Sequence, residues 1–191
     1  MRRPVGGRGV GKATAWVPSL CLCLMAAGPG LAAPATAPAP GLPSPGAGCA
    51  SAPNRQFDFW IGRWSVRDVI NKSDGKSLIE GVYGGCGIHE SWSEDALVGG
   101  SISAFNPGDG QWRQLWVDSA GGVREFEGGL DKAGRMVLVA RYPSRKQPGR
   151  TVLDRMSYSS LTGGKVRQYS DASVDDGATW KPLYDNIYTP Q

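Results

Sequence analysis

Phe57-Asp58-Phe59-Trp60-Ile61-Gly62-Arg63-Trp64-Ser65-Val66 carries a dense aromatic cluster straight into alternating apolar and polar residues. Gly62, between Trp60 and Trp64, lets the backbone turn sharply. From there Trp64, Val66, Asp68 and Ile70 share one face of an extended chain, with Ser65, Arg67 and Val69 on the other. The stretch reads as a plug, with at most a turn of helix over Phe57 to Ile61, followed by a first strand. The same period of two continues downstream, and strands are expected at about 63–71, 77–84, 86–94, 98–106, 111–119, 122–129, 134–142, 150–158, 164–171 and 179–188. Turn residues sit between them, among them Ser73-Asp74-Gly75, Gly108-Asp109-Gly110, Ala120-Gly121-Gly122, Lys132-Ala133-Gly134 and Thr162-Gly163-Gly164. Short links make sequence neighbours spatial neighbours. The expected fold is therefore all-β, an antiparallel up-and-down barrel of about ten strands, because closure removes the two edges a flat meander would expose.

Before the plug the composition changes. A basic start, an apolar run from about Ala13 to Ala27 and small residues after it read as a secretory signal over residues 1–32. Cleavage after Ala32 and after Ala37 both fit. The apolar run is too short and too interrupted by Pro for a membrane span, so none is expected once the signal is removed. The pair Arg2-Arg3 is not continued as a twin-arginine pattern, and general secretion to the periplasm or beyond is the expectation. Residues 34–53 contain six Pro among Ala, Gly and Ser, too little apolar surface to offset ordering entropy, so residues 33–55 are expected to be an extended tether to a domain over 56–191.

The chain of 191 residues suits one domain with a full core. Four basic residues, Arg2, Arg3, Arg8 and Lys12, lie in the expected leader with no acid beside them; without them Lys and Arg balance the 17 Asp and Glu. A neutral mature protein lacks the cationic surplus that nucleic-acid binding requires. Cys21 and Cys23 fall in the leader, which leaves Cys49 and Cys86. In an oxidising compartment these are expected to form a disulfide, worth roughly 3–4 kcal/mol for a loop of this size. Lipidation at Cys49 is the competing reading.

Alternation is clearest on two strands, where Ile88, Glu90 and Trp92 oppose His89 and Ser91, and Trp112, Gln114, Trp116 and Asp118 oppose Arg113, Leu115 and Val117. Six Trp fall between residues 60 and 180, and such rings serve either as core fill or as pocket lining whose indole N–H meets a polar group. His89 is the only His, so a multi-His zinc site is excluded, no haem or other cofactor is expected, and His89 itself reads as a solvated strand residue. Glu90 and Asp118 could form an acid/base pair. Alternatively they brace the barrel by pairing with Arg141, Arg155 or Arg167.

Ser173-Val174-Asp175-Asp176-Gly177-Ala178-Thr179-Trp180 resembles the Asp-box turn of sialidases and other β proteins. There Asp175 would accept backbone N–H bonds, Gly177 would take a positive φ and Trp180 would pack beneath. It is a structural turn and brings no activity with it. Phe57 to Trp64 resembles the opening of an uncharacterised family of exported bacterial domains with the pattern F-D-F-W-x-G-x-W. The likeness continues through Gly85-Cys86, Glu90-x-Trp92, Gly110-x-Trp112-x-Gln114-x-Trp116-Val117-Asp118 and Val166-Arg167-Gln168. It implies a lipocalin-like, calycin-type barrel in which Trp64 closes one end, with Arg167 or Lys181 lying over it. Arg63 departs from the acidic residue that family members often carry.

Three functional readings result. In the leading one, a non-catalytic exported barrel holds a small apolar or amphipathic molecule among Glu90, Trp92, Gln114, Trp116, Asp118 and Arg167. The others are a barrel enzyme using inward carboxylates, and a structural or partner-binding module of the cell envelope.

Overall fold

Alternation between two faces organises every strand. The structure, a computed structural model, describes residues 47–191. The expected signal over 1–32, its two cleavage positions, Cys21, Cys23 and the first part of the tether lie outside the described residues. The strands are β1 (Gly62–Asp68), β2 (Asp74–Val82), β3 (Gly87–Glu94), β4 (Leu97–Asn106), β5 (Gln111–Asp118), β6 (Val123–Leu130), β7 (Met136–Pro143), β8 (Thr151–Ser160), β9 (Val166–Ser173) and β10 (Lys181–Pro190). Each pairs antiparallel with its sequence neighbours, and β1 pairs with β10 from Trp64 opposite Pro190 to Asp68 opposite Asn186, which closes the barrel. The expected all-β up-and-down barrel is the observed fold.

The ends of two strands differ from the sequence expectation for a local reason. The Asp68 carboxylate accepts the backbone N–H groups of Ile70 and Asn71 at 2.9 and 3.2 Å, which ends β1 in an Asx turn. Ile70, expected to share the face of Trp64 and Val66, instead lies beyond the strand and is 42 % exposed. Directly after this turn Asp74 and Gly75, read as turn residues, already pair with Arg67 and Val66, so β2 starts earlier.

The aromatic opening closes one end. A 3-10 turn over Asp58–Trp60 carries Phe57 and Trp60 into full burial. Phe57 stacks on Trp60 at 5.0 Å and meets Tyr158 at 4.8 Å and Trp112 at 5.6 Å between ring centroids. Each such ring removes on the order of 200 Å² from water, which at about 25 cal/mol/Å² is at most roughly 5 kcal/mol. The Trp64 indole N–H donates to the Trp60 carbonyl at 3.0 Å, tying plug to strand. Gly62 suits that packing, because a Cβ on it would sit a tight 3.0 Å from the Trp64 ring and push it outward.

The chain before the plug is fastened to the same end. Residues 47–55, assigned from composition to the tether, include 3-10 turns at Ala47–Cys49 and Ala52–Arg55. Cys49 is disulfide-bonded to Cys86, with the Cα atoms 5.1 Å apart, and the Arg55 guanidinium donates to the Gly85 carbonyl. A covalent link and a charge-assisted bond hold a sequence whose own apolar content could not.

The Ser173–Trp180 turn takes its expected form. Asp175 accepts from the Thr179 N–H at 2.9 Å and its hydroxyl at 2.6 Å, Gly177 has φ +89°, and the Trp180 indole donates to the Gly177 carbonyl at 3.0 Å. Arg155 lies over the Trp180 ring, 3.9 Å from its centroid.

Candidate functional site

In an up-and-down meander successive turns alternate between the two ends, so the β1–β2, β3–β4 and β5–β6 turns lie opposite the plug. Between them opens a cavity of about 720 Å³ that runs down to Glu90, Gln114 and Gln168. Five of the six candidate binding residues line it: Glu90, Trp92, Gln114, Trp116 and Asp118. Of the seven Trp in the chain, only Trp92 and Trp116 do so among those described.

Both indoles fit against the wall because the neighbouring strands carry glycine on their inward face. A Cβ at Gly75 would stand 2.8 Å from the Trp92 benzo ring, and one at Gly99 would stand 2.7 Å from that of Trp116. Real Cβ contacts do not come so close, and the ring takes the space a side chain would fill. Trp116 is further oriented by its indole N–H, which donates to the Asp118 carboxylate at 3.0 Å.

The floor is a hydrogen-bonded polar layer. Gln114 Nε2 donates to Ser103 Oγ at 3.0 Å, Gln168 Nε2 donates to the Tyr158 hydroxyl at 2.9 Å, and the Tyr188 hydroxyl donates to Gln168 Oε1 at 2.8 Å. Satisfied networks of this kind hold their members in single orientations. Burial pushes the Tyr158, Tyr184 and Tyr188 hydroxyls well above their ordinary range, so they remain neutral donors.

Glu90 stands in this layer with 3 % exposure, its two oxygens accepting from Ser77 and Ser101, each at 3.0 Å. Burial disfavours its charged form and pushes its pKa up to about 7, against the pull of the two hydroxyls. Asp154, 7 % exposed, accepts from Ser170 Oγ at 2.7 Å and from the Tyr142 hydroxyl at 3.2 Å, and burial raises its pKa as well. Asp118 behaves oppositely. The Trp116 indole and the N–H groups of Ala120 and Gly122 all donate to its carboxylate, which lowers its pKa despite some burial.

The geometry corrects four expectations. Arg167 is exposed on the outer face of β9, where it pairs with Asp185 at 2.7 and 2.9 Å and lies near the Tyr169 ring; it does not line the cavity. Strand parity decides this, since Val166, Gln168 and Ser170 take the inward positions. Nor does Lys181 cover Trp64, because Lys181 starts β10 at the mouth and Trp64 lies at the plugged end. Finally, Glu90 and Asp118 do not pair with Arg141, Arg155 or Arg167. Arg155 bonds Asp171, Arg141 is exposed, and Glu90 is held by hydroxyls. Glu90 and Asp118 also do not converge as an acid/base pair. They stand two strands apart, on the order of 10 Å at the usual strand spacing, and Asp118 is turned to its own loop.

Residues not singled out from the sequence complete the cavity: Asp154 and Met156 on β8, Gln168 on β9, and Tyr184 and Asn186 on β10. Their signal was the alternation Asp154-x-Met156-x-Tyr158, polar and apolar residues sharing one face. This chain matches no protein-family model and no curated protein. Among the described residues, no helix is long and apolar enough to cross a membrane.

Proposed function

We propose that this protein is an exported lipocalin-like barrel that holds a small, partly apolar molecule in its interior. One observation carries the reading: a cavity of about 720 Å³, plugged at one end and open at the other, with aromatic walls over a polar floor. Ligand sites of this size combine apolar lining with a few fixed polar groups that set orientation. The walls here are Trp92, Trp116, Phe126 and Tyr188, and the fixed groups are Glu90, Gln114 and Gln168. Removal of an N-terminal leader and residence in the periplasm or outside the cell belong to the same proposal. The Cys49–Cys86 disulfide supports it, because such bonds persist in oxidising compartments.

The test is a native mass-spectrometric screen of purified protein against lipids and hydrophobic metabolites, followed by titration of Trp fluorescence. The expected result is a one-to-one adduct that changes the emission of the wild type. In the Trp92→Phe/Trp116→Phe double variant the adduct persists and the emission change is lost, because the remaining described Trp do not face the cavity. An emission change undiminished in that variant, or no adduct across the panel, overturns the proposal.

A further inference from the structure

Charge is distributed unequally between the two faces of the barrel. Arg113, Arg155 and Arg167 pair with Asp109, Asp171 and Asp185 on the outer surface or its turns, with N–O distances of 2.7 Å in each case. Inside, Asp68, Glu90 and Asp154 are buried, yet among the described residues no basic nitrogen comes within ion-pair distance of any of them. Their partners are hydroxyls, an amide and backbone N–H groups. The cavity as a whole is lined by seven carboxylates, of which Asp74 at the mouth pairs with Arg67 at 2.8 Å, against two basic side chains, Lys72 and Arg124. Arg124 stands over the Tyr142 ring, 4.1 Å from its centroid, and acts on both Asp154 and Asp118. The groups near Glu90 that could carry charge are Tyr158, Tyr184 and Tyr188, all kept neutral by burial.

An aromatic-walled cavity with uncompensated carboxylates favours one kind of occupant. An anion would meet a negative field focused by low-dielectric walls. A neutral apolar molecule would leave the carboxylates desolvated with nothing gained. A cation on an apolar body offsets the buried charge and lies against indole and phenol faces that attract it. A metal ion fits poorly, because no three carboxylates, His or Cys converge as ligands among the described residues.

Resting on the binding reading above, we infer that the cavity selects an organic cation, a protonated amine attached to an apolar body, with its charged head between Glu90 and Asp154. Burial, which pushes the Glu90 pKa up to about 7, agrees with this, since a bound ammonium would hold that carboxyl ionised where the empty cavity leaves it partly protonated.

The experiment compares three probes of one chain length, n-octylammonium, 1-octanol and octanoate, by calorimetric titration at neutral pH. The expected order is octylammonium tighter than octanol by about tenfold or more, with octanoate weakest. Glu90→Gln/Asp154→Asn is expected to abolish the advantage of octylammonium over octanol. If the double variant fails to fold, Asp154→Asn alone and the wild-type series carry the comparison. Octanol or octanoate binding as tightly as octylammonium overturns the inference and leaves the binding reading standing. Failure of all three probes overturns the inference, whereas the binding reading falls only with the broader screen.

Discussion

Glu90 is the residue whose chemistry departs furthest from its surroundings in sequence. Its neighbours His89 and Ser91 are exposed, and it alone of the three is sealed inside the wall with only hydroxyls for partners. Its pKa rises from the ordinary 4.5 to about 7, so between those values the native state binds a proton that the unfolded chain has released. By linkage this contribution is favourable at the acid end and is lost as pH rises through the folded value, a change of roughly 3 kcal/mol. Glu90→Gln removes the titration. Wild type should therefore lose stability relative to Glu90→Gln as pH is raised from about 4.5 to 8, read as a widening gap in Tm. A gap that stays constant over this range contradicts the burial argument. Asp154 shifts in the same direction but is common to both proteins and cancels in the difference.

At the scale of elements, the plug and its fastening decide which end of the barrel is open. Phe57 and Trp60 fill the closed end, and the Cys49–Cys86 bridge, spanning 37 residues, ties the preceding turns to the connection between β2 and β3. A loop of that length restricts the unfolded chain enough to contribute about 3–4 kcal/mol. The Cys49→Ser/Cys86→Ser double variant is expected to lower the unfolding free energy by about 2–4 kcal/mol in a urea titration, with the folded far-ultraviolet spectrum retained. An unchanged midpoint would remove the bridge from the account of stability. The strands and the Asp175 turn were legible beforehand because each depends on residues close in sequence. So was the bridge from Cys49 to Cys86, but the 3-10 turns of residues 47–55 and the bond from Arg55 to the Gly85 carbonyl were not, since that bond depends on a partner 30 positions away.

For the molecule as a whole, the seam between β1 and β10 is the longest-range contact in the fold. Pairing Trp64 with Pro190 joins the start of the domain to its end, and only this pairing leaves no strand with an unpaired edge. Deleting residues 181–191 removes β10 and exposes β1 and β9. The expected outcome is a chain that associates on size-exclusion chromatography and lacks a cooperative thermal transition. A monomeric, cooperatively folding truncation would show that closure is dispensable.

Ten strands, most of their turns, the two alternating residue sets of β3 and β5, the plug and the disulfide partners followed from the amino-acid order alone, because period two, turn chemistry and a small number of thiols are local or combinatorial facts; which set faces inward did not. Five of six candidate binding residues came from that same alternation. What only the folded molecule decided was which carboxylates go without a cation, and that Arg167 serves the outer surface. Pairing of side chains depends on which strands closure places side by side, and on a parity that one turn residue more or less reverses. Asp154 and Tyr184 enter the cavity for the same reason: they come to line one space with Glu90 only when the sheet wraps round on itself.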